Sequence, residues 1–276
     1  MLAASASLSA PGVHASSTYV LDGRSPGALY ESTLGCAGIG GSWSNLTVTC
    51  EISGNGTLSS GGRLTLDPSA ALVIDYGATL SVSGLVLENG SKIANTGTMM
   101  INATGTVDNS GTFSNNYGTV VNSGYIINRL AGTIDNYGII INDFGGTLNN
   151  TGTVSNTSLI DDTAGATIDN TGVIANLNGS TIANSGTVNN SPAGAIDNTG
   201  VVSDGCGGII TNPARISGNP VVNTCVSPKN SGSGATSTVP EFPMAWLGAL
   251  AFAILAAAVL LLRGPRRARG STKVLY

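Results

Sequence analysis

An all-β architecture, a right-handed parallel β-helix spanning residues 30–225, is the fold this chain predicts, and three observations carry the prediction. The first is a repeat. A unit close to G-T-[IVL]-x-N-x-G-x-[VI] is written eight times between residues 91 and 204, its first aliphatic position falling at Ile93, Val107, Val120, Ile134, Leu148, Ile168, Ile182 and Ile196. Two places later comes an asparagine (Asn95, Asn109, Asn122, Asn136, Asn150, Asn170, Asn184 and Asn198), and two further on a glycine, from Gly97 to Gly200. Self-similarity at so short a period means a solenoid, because one such unit cannot bury its apolar side alone and must stack on copies of itself. The second observation is composition: only 9% of residues are charged and 5% aromatic, with 39 glycines, where a compact globular domain carries about 25% charge. The third is residue type. β-Branched side chains dominate the apolar sites, Thr precedes many of them, and no stretch before residue 244 sustains a helical spacing.

Each unit divides into two similar halves. A second aliphatic position follows six residues after the first (Met99, Phe113, Ile126, Ile140, Val154, Ile174, Val188 and Val202), usually with its own Asn or Asp two places on. The element is therefore a strand of about three to five residues closed by an Asn-x-Gly corner. Both corner residues are expected there because they tolerate positive φ. Asparagines stacked in register are expected to hydrogen-bond to one another or to the backbone.

The steps between units are 14, 13, 14, 14, 20, 14 and 14 residues. The long step contains Ser158-Leu159-Ile160-Asp161-Asp162, with Ile160 six residues after Val154, so it is one extra half-unit. A two-sided coil would be thrown out of phase by a single extra side, whereas a three-sided coil absorbs it. Seventeen sides between Ile93 and Val202 average about 6.8 residues, giving a three-sided coil of about 20. Right-handedness follows from the strong preference of parallel β crossovers. A 14-residue, two-sided solenoid stays open as the alternative.

Residues 53–88 carry a looser alternation, which extends the helix towards the N-terminus. Exposed terminal coils offer unpaired strand edges and need caps. Cys36 and Cys50 flank the start and Cys206 and Cys225 the end; two local pairs with none left over suggest two disulfides formed in an oxidising compartment. Four reduced, buried cysteines are the alternative. No C-x-x-C occurs and the single histidine is His14, so neither a metal nor any other cofactor is expected.

Beyond the solenoid, residues 226–243 are rich in Ser, Gly, Thr and Pro and read as a stalk. Residues 244–262 form an uncharged apolar stretch long enough to cross a bilayer as a helix. Residues 263–276 follow with Arg263, Arg266, Arg267, Arg269 and Lys273, which places the tail in the cytoplasm and the ectodomain outside a single-pass anchor. Residues 1–17 read as a degenerate signal peptide, with an A-x-A-like site at Val13-His14-Ala15, or as a disordered arm. Up to Pro243 there are 6 Lys and Arg against 15 Asp and Glu, a net of −9, which argues against a nucleic-acid partner. Sequons at Asn45, Asn55, Asn89, Asn102, Asn149, Asn156, Asn178 and Asn189 are candidate glycosylation sites.

The run Val239-Pro240-Glu241-Phe242-Pro243, followed by the apolar span and the arginine cluster, resembles archaeal cell-surface proteins with a PEF-type C-terminal sorting region. The resemblance implies that Pro240, Glu241 and Phe242 form a sorting motif. It also implies an archaeosortase as partner, a membrane transpeptidase that cleaves near the motif and transfers the ectodomain to an anchor. The repeats are similar to the Asn/Gly-rich β-helical regions of secreted archaeal and bacterial surface proteins and adhesins.

These readings converge on a non-enzymatic, membrane-anchored envelope protein presenting a stiff acidic solenoid, structural or adhesin-like, whose partners are the bilayer and envelope glycans or surface-layer proteins. One alternative is a β-helix carbohydrate-active enzyme, for which Asp161 and Asp162 are the best acid/base candidates. Adjacent strand residues point to opposite faces, which weighs against their cooperating. A calcium-binding solenoid would use Asp108, Asp135, Asp169 and Asp197, which share one repeat position and are expected to line one outer face. An ice-binding solenoid would use the threonines Thr106, Thr119, Thr133, Thr147, Thr167 and Thr181.

Overall fold

Between Arg63 and Asn223 the chain winds through eight complete coils, each laying one short strand on each of three sheets. The computed structural model describes residues 17–22 and 26–225. The first sheet runs from Thr18–Leu21 and Arg63–Leu66 to Ile209–Thr211 in nine strands. The second runs from Ser42–Ser44 to Ile216–Gly218 in ten, and the third from Asn55–Leu58 to Val221–Asn223 in nine. All pairing is parallel except where Ser42–Ser44 turns back on Thr49–Ile52. A coil takes between 19 residues (Thr106 to its neighbour Tyr125) and 22 (Tyr125 to Thr147). The three-sided coil of about 20 residues is thus the one observed, and the two-sided alternative falls away.

The sequence period and the structural period differ, and the reason is visible in the strands. A repeat unit is two sides while a coil is three, so successive units rotate around the rod. Ile93 lies on the second sheet, Val107 on the first and Val120 on the third, and Ile134 returns to the second. The extra half-unit is an ordinary strand, Leu159–Asp162, on the third sheet. Its presence keeps Leu148 and Ile168 on the same sheet, directly paired.

Each strand of four points its second and fourth residues inward. From Arg63–Leu66 onward the second is apolar. In each sheet these side chains form a column, such as Ile93, Phe113, Ile134, Val154 and Ile174, all at most 2% exposed. Burying each is worth about 1.5–3 kcal/mol. The fourth is aliphatic in the first coils (Leu66, Ile74, Val82, Ile101) and asparagine in most later ones. Fourteen asparagines are at most 1% exposed. On the second sheet Asn95 donates from Nδ2 to Asn115 Oδ1 at 2.9 Å, Asn115 to Asn136 at 2.9 Å, Asn136 to Asn156 at 2.8 Å and Asn156 to Asn176 at 2.8 Å. Each also donates to a carbonyl at the start of a later strand, as Asn136 does to Leu159.

This corrects the expected role of the corner residues. The repeat asparagines are not left-handed, since positive φ among non-glycine residues is confined to Val48, Tyr117 and Asn212 within the described chain. They are strand residues aimed inward to build a ladder. The Asn-x-Gly glycines are not left-handed either. Gly138 and Gly152 are required because any β-carbon would collide with the carbonyl oxygens of Gly118 and Gly132 in the coil before. Positive φ belongs instead to the longer corners, as at Gly145 and Gly165.

The N-terminal edge lies at Thr18, ahead of residue 30, and it includes a helix, Pro26–Gly38, that periodicity alone did not disclose. Ser32 ties the helix to the first strand, its hydroxyl accepting from the Asp22 N–H at 2.8 Å and donating to the Asp22 carbonyl at 2.9 Å. Cys36 pairs with Cys50 and Cys206 with Cys225, so the two expected disulfides form at the two ends. At the far end Asn212, Arg215 and Asn219 donate to the carbonyls of Asn190, Gly194 and Thr199, covering backbone groups that no further coil pairs. Among the described residues no helix is long and apolar enough to cross a membrane. The stalk 226–243 with Pro240, Glu241 and Phe242, the span 244–262, the tail 263–276 and the leader before Ser17 lie outside the described residues.

Candidate functional surfaces

The interior of the rod is filled by its own columns, so a partner meets the outward positions, the first and third of each strand, and the corners. The candidate residues distribute over these as follows. Asp161 points outward and is half-buried, while Asp162 points inward and is fully buried, so the pair occupies opposite faces of one strand. Burial raises the Asp161 carboxyl above the usual range. Burial raises Asp162 further, to about 6, helped by the Asp161 charge and opposed by the Asn142 amide and the Thr187 backbone.

The four aspartates expected to share one face do not. Asp108 and Asp169 lie on the first sheet and Asp135 and Asp197 on the second, because the repeat rotates by two sides per unit. Asp108 is engaged by Arg129, whose Nε and Nη2 donate to its two carboxylate oxygens at 2.5 Å. That bidentate pair holds the guanidinium in its charged form. Asp169 accepts from Asn189 and Asp197 from Ser217, both at 2.8 Å. Among the described residues no group of three or more His, Cys, Asp or Glu side chains is placed to hold a metal. The threonines scatter for the same reason: Thr106, Thr147 and Thr167 lie on the first sheet, Thr133 on the second, and Thr119 and Thr181 on the third. The unbroken files are three threonines long: Thr147, Thr167 and Thr187 on the first sheet, Thr112, Thr133 and Thr153 on the second, and Thr79, Thr98 and Thr119 on the third.

The sequons divide by burial. Asn45, Asn55, Asn89, Asn178 and Asn189 are exposed. Asn102 and Asn149 are half-buried, with Asn102 donating to the Ser81 and Ser83 hydroxyls at 3.0 and 2.8 Å. Asn156 is a rung of the inner ladder, wholly buried, with its amide committed to Asn176 and to the Thr181 carbonyl.

What sequence reasoning missed is an apolar outer face. On the third sheet Met100, Val121 and Ile141 stack in register at the third strand position, and Ile139 and Leu159 at the first. The corner leading into this sheet displays Tyr117, 87% exposed, and Tyr137, 46% exposed; the corner leaving it displays Phe144, 76% exposed. Tyr117 adopts φ 62°, a left-handed conformation that costs a bulky residue about 1–3 kcal/mol and concentrates at functional positions. The signal was present as Ile139-Ile140-Ile141 and the tyrosines of the corners. Residues about 20 apart are gathered into one patch only once the coil size is known.

The fold thus defines a three-sided parallel β-solenoid closed by a disulfide at each end. No protein-family description matches the chain, and no curated protein resembles it significantly. Among solved structures it is similar to the crystal structure of a TibC-catalysed hyper-glycosylated TibA fragment, at 16% identity, over 63% of this chain and 82% of that one, with a TM-score of 0.20.

Proposed function

We propose that the protein is a non-enzymatic, membrane-anchored component of a cell envelope, a right-handed solenoid displayed outside the cell as a structural or adhesin-like rod. The observation that carries the reading is the outer apolar face. Met100, Val121 and Ile141 occupy consecutive outward positions that the coils on either side give to Ser81 and Asp161, with Ile139 where the coil before has Thr119, and a rod that needed only solubility would not place them together. The disulfides support an oxidising, extracytoplasmic location. The apolar stretch 244–262 and the basic tail support a single-pass anchor with a cytoplasmic C-terminus. Pro240, Glu241 and Phe242 support processing by an archaeosortase of an archaeal host. Envelope glycans or surface-layer proteins are the partners proposed for the outer face.

Intact mass of the native protein extracted from membranes tests this reading. A mass short by the residues after about Pro243, carrying a lipid or glycan increment, supports sorting and display. An intact C-terminus leaves a simple anchor. Absence of a mass shift on reduction and alkylation overturns the extracytoplasmic location. In the same material glycopeptide mapping is expected to find glycan at exposed sequons such as Asn55, Asn89 and Asn178 and none at Asn156, which folding withdraws from any transferase.

A further inference from the structure

The inner ladder of the third sheet contains one carboxylic acid among amides. Asn122 donates to Asn142 Oδ1 at 2.8 Å, Asn142 donates to Asp162 Oδ1 at 2.7 Å, and the chain of donors then stops. Asp162 sits directly beneath Asn184 in the stack, its Cα partner in the next coil. Asp162 Oδ2 and Asn184 Oδ1 are both buried, and neither has a hydrogen-bond partner. In the neighbouring rungs the atom at the Oδ2 position is an amide nitrogen that donates twice, as Asn142 does to Asp162 and to the Thr167 carbonyl at 2.8 Å. The Thr187 N–H near the carboxyl is already given to the Ala166 carbonyl at 3.0 Å, so an ionised Asp162 would set its Oδ2 against the Asn184 oxygen with both desolvated. Turning the Asn184 amide over does not relieve this. Its Nδ2 donates to Asp204 Oδ1 at 2.7 Å and to the Ile209 carbonyl at 3.2 Å, and the flipped oxygen would face those oxygens instead.

We infer that Asp162 is a proton-binding site: folding makes it hold a proton more tightly than a free aspartate does, and as the neutral acid its Oδ2 hydroxyl donates to Asn184 Oδ1, continuing the ladder that an asparagine makes elsewhere. Among the described residues no cation acts on this carboxyl. Asp161 on its own strand, Asp143 in the corner after Ile139–Asn142, Asp169 on the first sheet and Asp204 beyond Asn184 are the ionisable groups nearby, and all are acidic. Burial and the Asp161 charge act in the same direction, lifting the carboxyl from its ordinary 3.8 to about 6. Burial also raises Glu88, the other fully buried carboxyl among the described residues, and its Oε1 and the Oδ1 of its stacking partner Asn109 likewise have no partner. It differs in its second oxygen, which accepts the N–H groups of Ser110 and Gly111, hydrogen bonds that favour the charged form and oppose the burial.

The stabilising hydrogen bond is then complete below the unfolded aspartate range near 3.8 and is lost as pH rises through about 6, weakening the rod at this one rung. The test uses the full chain in mild detergent and two variants, Asp162→Asn and Asp161→Asn. Asp162→Asn, which supplies the missing donor permanently, is expected to melt about 5–10 °C above the wild type at pH 8, with the gap closing below pH 4. Asp161→Asn should leave most of the wild-type pH dependence in place. Carbon-13 titration of the aspartate carboxyls reads the site directly in the wild type and does not depend on any variant folding. A carboxyl resonance correlated to the Asp162 backbone that titrates near pH 6 supports the inference. Titration of that resonance in the ordinary aspartate range, or a melting gap that is the same at pH 4 and pH 8, overturns it.

Discussion

At the scale of single residues, this protein uses asparagine as a core residue. A buried amide is costly unless both its ends are satisfied, and here the stacking of identical rungs satisfies them: each Oδ1 accepts from the coil before and each Nδ2 donates to the coil after. The net gain per bond is about 1 kcal/mol, but a partner left unsatisfied costs about 1–3 kcal/mol. The ladder is therefore better described as intolerant of interruption than as strongly stabilising. Replacing Asn136 by Leu removes the acceptor of Asn115 and the donor to Asn156 together. It is expected to destabilise by about 2–4 kcal/mol despite the added apolar surface, and chemical denaturation should show this. The same Asn136→Leu change would be close to neutral if the ladder merely filled space. The ladder was half legible in sequence. That asparagines recur in register was plain, but their placement at the corner assigned them the wrong reason, because a period-2 strand of four residues does not announce which member is its last.

At the scale of elements, the strands are interchangeable and the ends are not. Every strand from Arg63–Leu66 to Val201–Asp204 has a parallel neighbour on each side, whereas the first and last coils must dispose of an open edge. The N-terminal end is closed by the helix Pro26–Gly38, with Cys36 and Cys50 both fully buried. The C-terminal end is closed by short strands of three residues, with Cys206 and Cys225 exposed. Partial reduction followed by alkylation and peptide mapping is expected to label Cys206 and Cys225 first, with Cys36 and Cys50 protected until the cap opens. Loss of the Cys36–Cys50 bridge, which closes a loop of 14 residues, is expected to cost about 3 kcal/mol. The helix was invisible to pattern reading because its residues, PGALYESTLGCAG, carry no apolar stripe. It lies over the end of the solenoid, and the reason it is helical is tertiary.

At the scale of the molecule, the rod is a one-dimensional array whose stability is a sum over neighbouring coils. Deleting residues 147–166 removes one strand from each sheet and joins Gly146 to Thr167, a junction already present in type at Gly105-Thr106, Gly146-Thr147 and Gly186-Thr187. The shortened protein is expected to fold with its disulfides formed and its long axis reduced by about 4.8 Å, measurable by small-angle scattering. Failure of this deletion to fold would mean that the coils are not equivalent, as an account built on interchangeable sides requires.

The repeat by itself determined the solenoid class and favoured three sides and a coil of about 20 residues, and the cysteines marked its ends, because stacking imposes one period on the whole chain and that period is written in the residues; the strand pairing removed the two-sided alternative. The tertiary structure alone decided which outward residues share a face. A motif of two sides wound into a coil of three carries each copy to a different sheet, so Asp108, Asp135, Asp169 and Asp197 separate while Met100, Val121 and Ile141 come together. It alone also decided the state of Asp162, since a carboxyl in place of an amide reads in the sequence as a conservative change. Only the stacked oxygen of Asn184 turns it into a position that favours a proton.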